Sequence, residues 1–159
     1  MAKKKVCCSF DYENDRHYYN LLEAWNENEN IDFSINDCIP SEIQSESISK
    51  IKQVLSTKIG QANYMIAIIG EHSNDEHPDS EEIGYKNWQA YEIDKNNEKG
   101  NGLVVVRLDS SYSVPDEAYG IGAKWVYSFN LDDILEALEE LKKDGTVDKI
   151  IGNYIGDDA

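Results

Sequence analysis

Apolar runs of strand length alternate with stretches of helical periodicity along most of this chain. Lys5–Phe10 (KVCCSF) reads as a first strand, and the following segment repeats apolar side chains at Tyr18, Leu21, Leu22 and Trp25, the spacing of one buried helix face. Ile31–Asp37 predicts a short second strand. Ser41 with Gln44 three residues on has the form of a capping box, ahead of a helix that would turn Ile48, Ile51, Val54, Leu55 and Ile59 inward and stop at Gly60. Tyr64–Gly70 (YMIAIIG) is apolar nearly throughout, as a strand covered on both faces should be. A polar loop separates it from a helix expected to start near Ile83 and to end in EKGNG, where Gly100 and Gly102 supply a stop. Leu103–Asp109 predicts another buried strand and Lys124–Phe129 a fifth. Asn130 then caps a helix whose Leu131, Ile134, Leu135, Leu138 and Leu141 share a face.

Strands alternating with helices imply parallel pairing through right-handed crossovers, hence a sheet between two helix layers. The expectation is a flavodoxin-like three-layer α/β sandwich with a five-stranded parallel sheet in the order 2-1-3-4-5. Residues 1–159 form one domain on this reading, with a sheet core over about 4–129, a C-terminal helix over 131–143 and a tail over 145–159. A ligand in such a fold binds outside the carboxyl ends of the strands, at the switch point between strands one and three.

Composition narrows the partners. Fifteen basic against 31 acidic residues give a net charge of −16, so nucleic acid and anionic membrane are poor expectations. No apolar run approaches the roughly 20 residues of a membrane helix, and no signal-peptide pattern follows the first lysines, so the expectation is a cytoplasmic protein. Cys7, Cys8 and Cys38 fit neither a disulfide framework nor a zinc knuckle and are expected as free thiols. His72 and His77 stand in an acidic stretch that could supply metal ligands or could be a solvated loop; no metal site is expected.

At the expected ligand edge stand Phe10 and Asp11 after strand one, Asp37 after strand two, and His72 after strand three. If the next helix starts near Ile83, Tyr85, Trp88 and Glu92 fall at i, i+3 and i+7 and share a face. Periodicity alone leaves two readings of Glu92, a site acid aligned with aromatic rings or an ordinary exposed helix residue. Several site types fail at this edge. SFDYENDR has no glycine to bring backbone N–H groups against phosphate, a receiver-type aspartate is missing where Gly70 stands, and no G-x-S-x-G elbow occurs.

The first strand and loop (KVCCSFDYENDR), the end of strand three (AIIGEH), and NWQAYEI followed by the strand NGLVVVRL resemble the TIR-like domains of the MTH538 type, the group that includes the TIR proteins of Thoeris anti-phage systems. The resemblance spans about Lys4 to Phe129. Trp88 and Glu92 reproduce the spacing in which TIR enzymes place a Trp four positions before a glutamate on the helix after strand three. In place of the aromatic residue often found in the family's first strand stand Cys7 and Cys8.

The resemblance implies chemistry on NAD as substrate, with no separate cofactor: the nicotinamide–ribose bond is cleaved and an ADP-ribose-derived signal is made for an effector protein. It implies Glu92 as the catalytic carboxylate, with Phe10, Asp11, Asp37, His72, Tyr85 and Trp88 as candidate substrate contacts, and Arg16 and Lys86 nearest to hand for the phosphates. TIR enzymes complete their sites across two subunits, so self-assembly is implied as well. Two alternatives stay open, a nucleoside deoxyribosyltransferase-like N-glycosidase and a non-catalytic adaptor.

Overall fold

The computed structural model describes residues 3–37 and 47–144. Five parallel strands form one sheet in the order β2-β1-β3-β4-β5: β1 (Lys4–Ser9), β2 (Phe33–Asp37), β3 (Tyr64–Ile69), β4 (Gly102–Arg107) and β5 (Lys124–Val126). This is the doubly wound, flavodoxin-like arrangement that the alternation predicts. Among the described residues five α-helices connect and cover it: α1 (Tyr12–Glu23), α2 (Ile48–Gly60), α3 (Ser80–Ile83), α4 (Trp88–Glu98) and α5 (Leu131–Asp144).

Side chains alternate across each strand, and the two faces bury separate cores. Val6, Cys8, Ile66 and Ile68 meet α1 and α5, while Cys7, Met65, Ala67 and Ile69 meet α2 and α4. By the same alternation Ser9 belongs to the α4 face, and Gly70, just past β3, to the α1 face.

Four expectations are corrected. The face that α1 buries carries Asp15, Tyr19 and Leu22, with Trp25 beyond it in a short 3-10 turn, whereas Leu21 is 50% exposed. Tyr18 is only half-buried, so the inward stripe is rotated by about one residue from the one read off the apolar positions. The capping box at Ser41 and Gln44 lies outside the described residues. It is Ser47 whose hydroxyl accepts from the Lys50 N–H at 3.3 Å and starts α2.

The third correction bears on function. No continuous helix runs from Ile83. Gly84 takes a left-handed φ of 82° and ends α3 after a single turn, and Asn87 then caps a new helix. Tyr85 therefore lies in the connection and not on the face that carries Trp88 and Glu92. Cys7 is disulfide-bonded, so the expectation of free thiols fails there, while Cys8 is a buried thiol. No helix among the described residues is long and apolar enough to cross a membrane.

Candidate active site

At the carboxyl ends of β1 and β3 the chain buries polar groups where a sheet ordinarily buries apolar ones. Glu92 is 1% exposed, on the second turn of α4, and its Oε1 accepts a hydrogen bond from Ser9 Oγ at 2.6 Å. One turn earlier, Gln89 Nε2 donates to the carbonyls of Ser9 and Ile68, at 3.2 and 2.8 Å. These two carbonyls belong to neighbouring strands. The amide thus ties β1 to β3 where their ladder ends, since a buried carbonyl without a donor is costly.

The start of α4 is fixed from the loop that follows β3. Asn87 Oδ1 accepts from the Ala90 N–H at 2.9 Å, while its Nδ2 donates to the carbonyls of Ser73 and Asp75 at 2.9 and 2.8 Å. Ser73 in turn accepts from the Gly70 N–H at 2.9 Å and donates to the Ile68 carbonyl at 3.3 Å. The end of β3, its loop and the first turn of α4 form one hydrogen-bonded unit, and this unit determines where Glu92 points.

The other candidates are placed as follows. Phe10 is buried in the α1 core, its ring stacked on Tyr19 with centroids 5.0 Å apart, so that face is already covered. Asp11 caps α1: Oδ1 accepts from the Glu13 N–H at 3.1 Å and Oδ2 from Asn14 Nδ2 at 2.6 Å. Asp37 closes β2 in register with Cys8. His72 is exposed, and its Nδ1 lies 2.8 Å from Asp75 Oδ2, a contact that raises the imidazole pKa above its ordinary value. Tyr85 directs its hydroxyl to Asp94, whose hydrogen bond holds the phenol pKa high, and sets its ring edge-on to Tyr91. Half-buried Trp88 packs edge-on against Tyr91 and His77. The structure therefore keeps Trp88 and Glu92 on one helix and turns Tyr85 toward Asp94.

Among the basic candidates, Arg16 donates to the Tyr12 hydroxyl at 2.9 Å and Lys86 is exposed. His77 Nδ1 accepts from the Asp79 N–H at 3.0 Å. No three His, Cys, Asp or Glu side chains converge as metal ligands among the described residues.

Three residues of this region escape a reading based on apolar periodicity: Ser9, Gln89 and Asp15. Asp15 is 7% exposed and no hydrogen bond reaches its Oδ2 among the described residues. Its carboxyl lies over Gly70, where a Cβ would come within 2.2 Å of Oδ2. Burial, and next the charge of Asp11, push its pKa up from 3.8 to about 6, against the lowering influence of His17 and His72. The signal for it was in the sequence, because Asp15 precedes Tyr19 by four residues and Leu22 by seven, on the helix's buried stripe.

Glu92 is itself buried, at 1% exposure, and not open to solvent. Cavities of about 350 and 380 Å³ lie elsewhere, one between β1, β2 and the end of α2 beside Lys5 and Lys58, the other outside β5 beside Glu136 and Glu140. Both lack the convergence of buried polar groups seen at the β1 and β3 ends, and the candidate site is assigned on that convergence.

Comparison with known proteins agrees with this architecture. The structure superposes on a 2-deoxyribosyltransferase from Bacillus psychrosaccharolyticus with a TM-score of 0.53 at 11% identity, over 82% of this chain and 90% of that one, which is a likeness of fold. A 2-desoxiribosyltransferase from Leishmania mexicana gives a TM-score of 0.46 at 15% identity, over 67% of this chain and 65% of that one, so the match spans slightly less than two thirds of the Leishmania enzyme. No curated protein matches the sequence. The family model described as "Thoeris protein ThsB, TIR-like domain" matches residues 7–113, well over half the chain and running from within β1 past the end of β4, so this protein belongs to the ThsB TIR-like domain family.

Proposed function

We propose that this protein cleaves NAD between nicotinamide and ribose in the cytoplasm, and that the ADP-ribosyl product activates an effector protein in anti-phage defence. The observation that carries the reading is the buried carboxyl of Glu92, four residues after Trp88 at the switch point of a ThsB-type domain, held by Ser9 Oγ at 2.6 Å.

The chemistry asks little beyond such a group. Nicotinamide leaves as a neutral molecule with the electron pair of the broken C–N bond, so no acid has to protonate it. Positive charge develops at the ribose C1′, and a carboxylate in a site screened from water stabilises that charge more than it would in bulk solvent. Water then adds at C1′ and releases a proton, or a nucleophile within the ADP-ribosyl group closes a ring. Ser9 holds one carboxyl oxygen in place, and Gln89 keeps the two strand ends from separating.

Burial of Glu92 adds a requirement. The crevice has to open before a ribose reaches the carboxyl, and assembly of copies is the event expected to open it. Incubating NAD with the protein over a wide concentration range, with mass spectrometry of the small molecules, tests both points. The expected result is nicotinamide plus an ADP-ribosyl product, formed at a rate steeper than first order in protein and absent with Glu92→Gln. NAD left intact at every concentration would overturn the reading in favour of an adaptor. Release of free base from deoxynucleosides in a parallel incubation would favour glycosyl transfer instead.

A further inference from the structure

We propose that Asp15 is a second acid of the strand-end site, its buried Oδ2 held ready for a hydroxyl donor on the ligand's sugar. The inference rests on the NAD-cleaving reading and deepens it.

Asp15 reaches the end of β3 from the α1 side, whereas Glu92 reaches the end of β1 from the α4 side through Ser9. The two carboxyls thus flank the same strand pair from opposite layers. Gly70 makes this possible: it belongs to the face that packs on α1, and its missing side chain is the space that the carboxyl occupies, since an added Cβ would lie 2.2 Å from Oδ2 and 2.6 Å from Oδ1. A buried polar atom normally has a partner, because leaving it without one costs free energy. At 7% exposure, with no hydrogen bond to Oδ2 among the described residues, this carboxyl has the form of a group whose partner arrives with the ligand. A sugar hydroxyl is a neutral donor of suitable size, and its hydrogen bond would favour the ionised acid.

The charged neighbours set the sign of the pH dependence. Asp11, just before α1, opposes ionisation of Asp15, while His17 on α1 and His72 after β3 assist it. A ligand that binds the ionised form binds more tightly as pH rises through about 6, the value to which burial has pushed Asp15. His72, whose pKa the contact with Asp75 raises, acts in the opposite sense on a dinucleotide as it loses positive charge, so only a rise abolished by an Asp15 substitution belongs to Asp15.

Calorimetric titration of NAD into Glu92→Gln protein, which leaves NAD uncleaved, should show affinity several-fold higher at pH 7.5 than at pH 5.5. Adding Asp15→Asn should remove that difference and weaken binding about tenfold at the higher pH. Gly70→Ala, which displaces the carboxyl without changing its chemistry, should weaken binding similarly, with melting curves confirming that each variant is folded. In protein with Glu92 intact, Asp15→Asn should raise KM about tenfold and change kcat less than threefold. Equal affinity with and without Asp15 at both pH values, or a loss confined to kcat, would overturn the assignment and leave Glu92 chemistry standing. Failure of NAD to bind or react with any of these proteins would overturn both.

Discussion

Helices α4 and α5 have similar lengths and cover opposite faces of the sheet, yet they bury different chemistry. The residues that α5 buries are Ile134, Ala137, Leu138 and Leu141, an unbroken apolar stripe, with Asp132, Asp133, Glu136 and Glu139 turned to or toward solvent. α4 buries Gln89, Glu92 and Asn96 among Ala90, Tyr91 and Ile93. Each of the three has a fixed partner on the strand edges: the carbonyls of Ser9 and Ile68, the Ser9 hydroxyl, and the Gly102 carbonyl at 3.1 Å. One helix is held by area removed from water. The other is held partly by directional bonds, which contribute less per group but fix orientation.

The contrast predicts that substitutions on the two helices separate function from stability. The largest effect expected is on turnover by Glu92→Gln, a loss on the order of a thousandfold, or about 4 kcal/mol on the barrier. The amide keeps an oxygen for Ser9, so the fold should survive, and an NAD assay beside a thermal melt would check the separation. Leu138→Ala on α5 should do the reverse, costing about 3–4 kcal/mol of stability through the cavity it leaves and sparing activity per folded molecule. Urea unfolding with the assay run on the refolded fraction measures both.

Asp15→Asn sharpens the comparison from a third helix. The folded-state pKa of about 6 lies above the unfolded value of 3.8, so the wild-type fold holds this proton more tightly than the unfolded chain does. Its contribution is fully present below the unfolded value and is lost as pH rises through about 6. Asp15→Asn should therefore match the wild type near pH 4 and exceed it by roughly 2–3 kcal/mol above pH 7, because a pKa unit is worth about 1.4 kcal/mol. Denaturation across that range would show it, and a gap independent of pH would contradict it. The smallest effect belongs to Asn87→Ala, about 1 kcal/mol for a lost cap. Its diagnostic signature is a larger fall in turnover than in stability, since the same side chain positions the first turn of α4.

These contrasts also show what the sequence made legible. On α5 the stripe follows the helical period and Ile134, Leu138 and Leu141 are buried as read, while Leu131 is 37% exposed and Leu135 half-buried, and Asn130 Oδ1 accepts from the Asp133 N–H at 3.0 Å at its start. The strand order followed from alternation alone. Glu92 was found through its spacing from Trp88, a family pattern that hydrophobicity cannot supply, and its burial was missed because periodicity counts an acid as outward. Tyr85 was misplaced for a local reason: one left-handed glycine and one Asx cap, three residues apart at Gly84 and Asn87, divide a segment whose composition suits a single helix. Ser9 and Gln89 were invisible for a different reason. Their roles exist only where β1 and β3 end together, at a separation of about 80 residues in the chain.

The side chain of Asn87 has a mechanical consequence. It grips two carbonyls of the loop after β3 and the Ala90 N–H in the first turn of α4 at once, so loop and helix cannot slide past one another without rupturing three bonds. The loop works as a handle on the helix: a neighbouring molecule that pulled on residues 71–79 would turn the far end of a short crank, and the crank ends at Glu92.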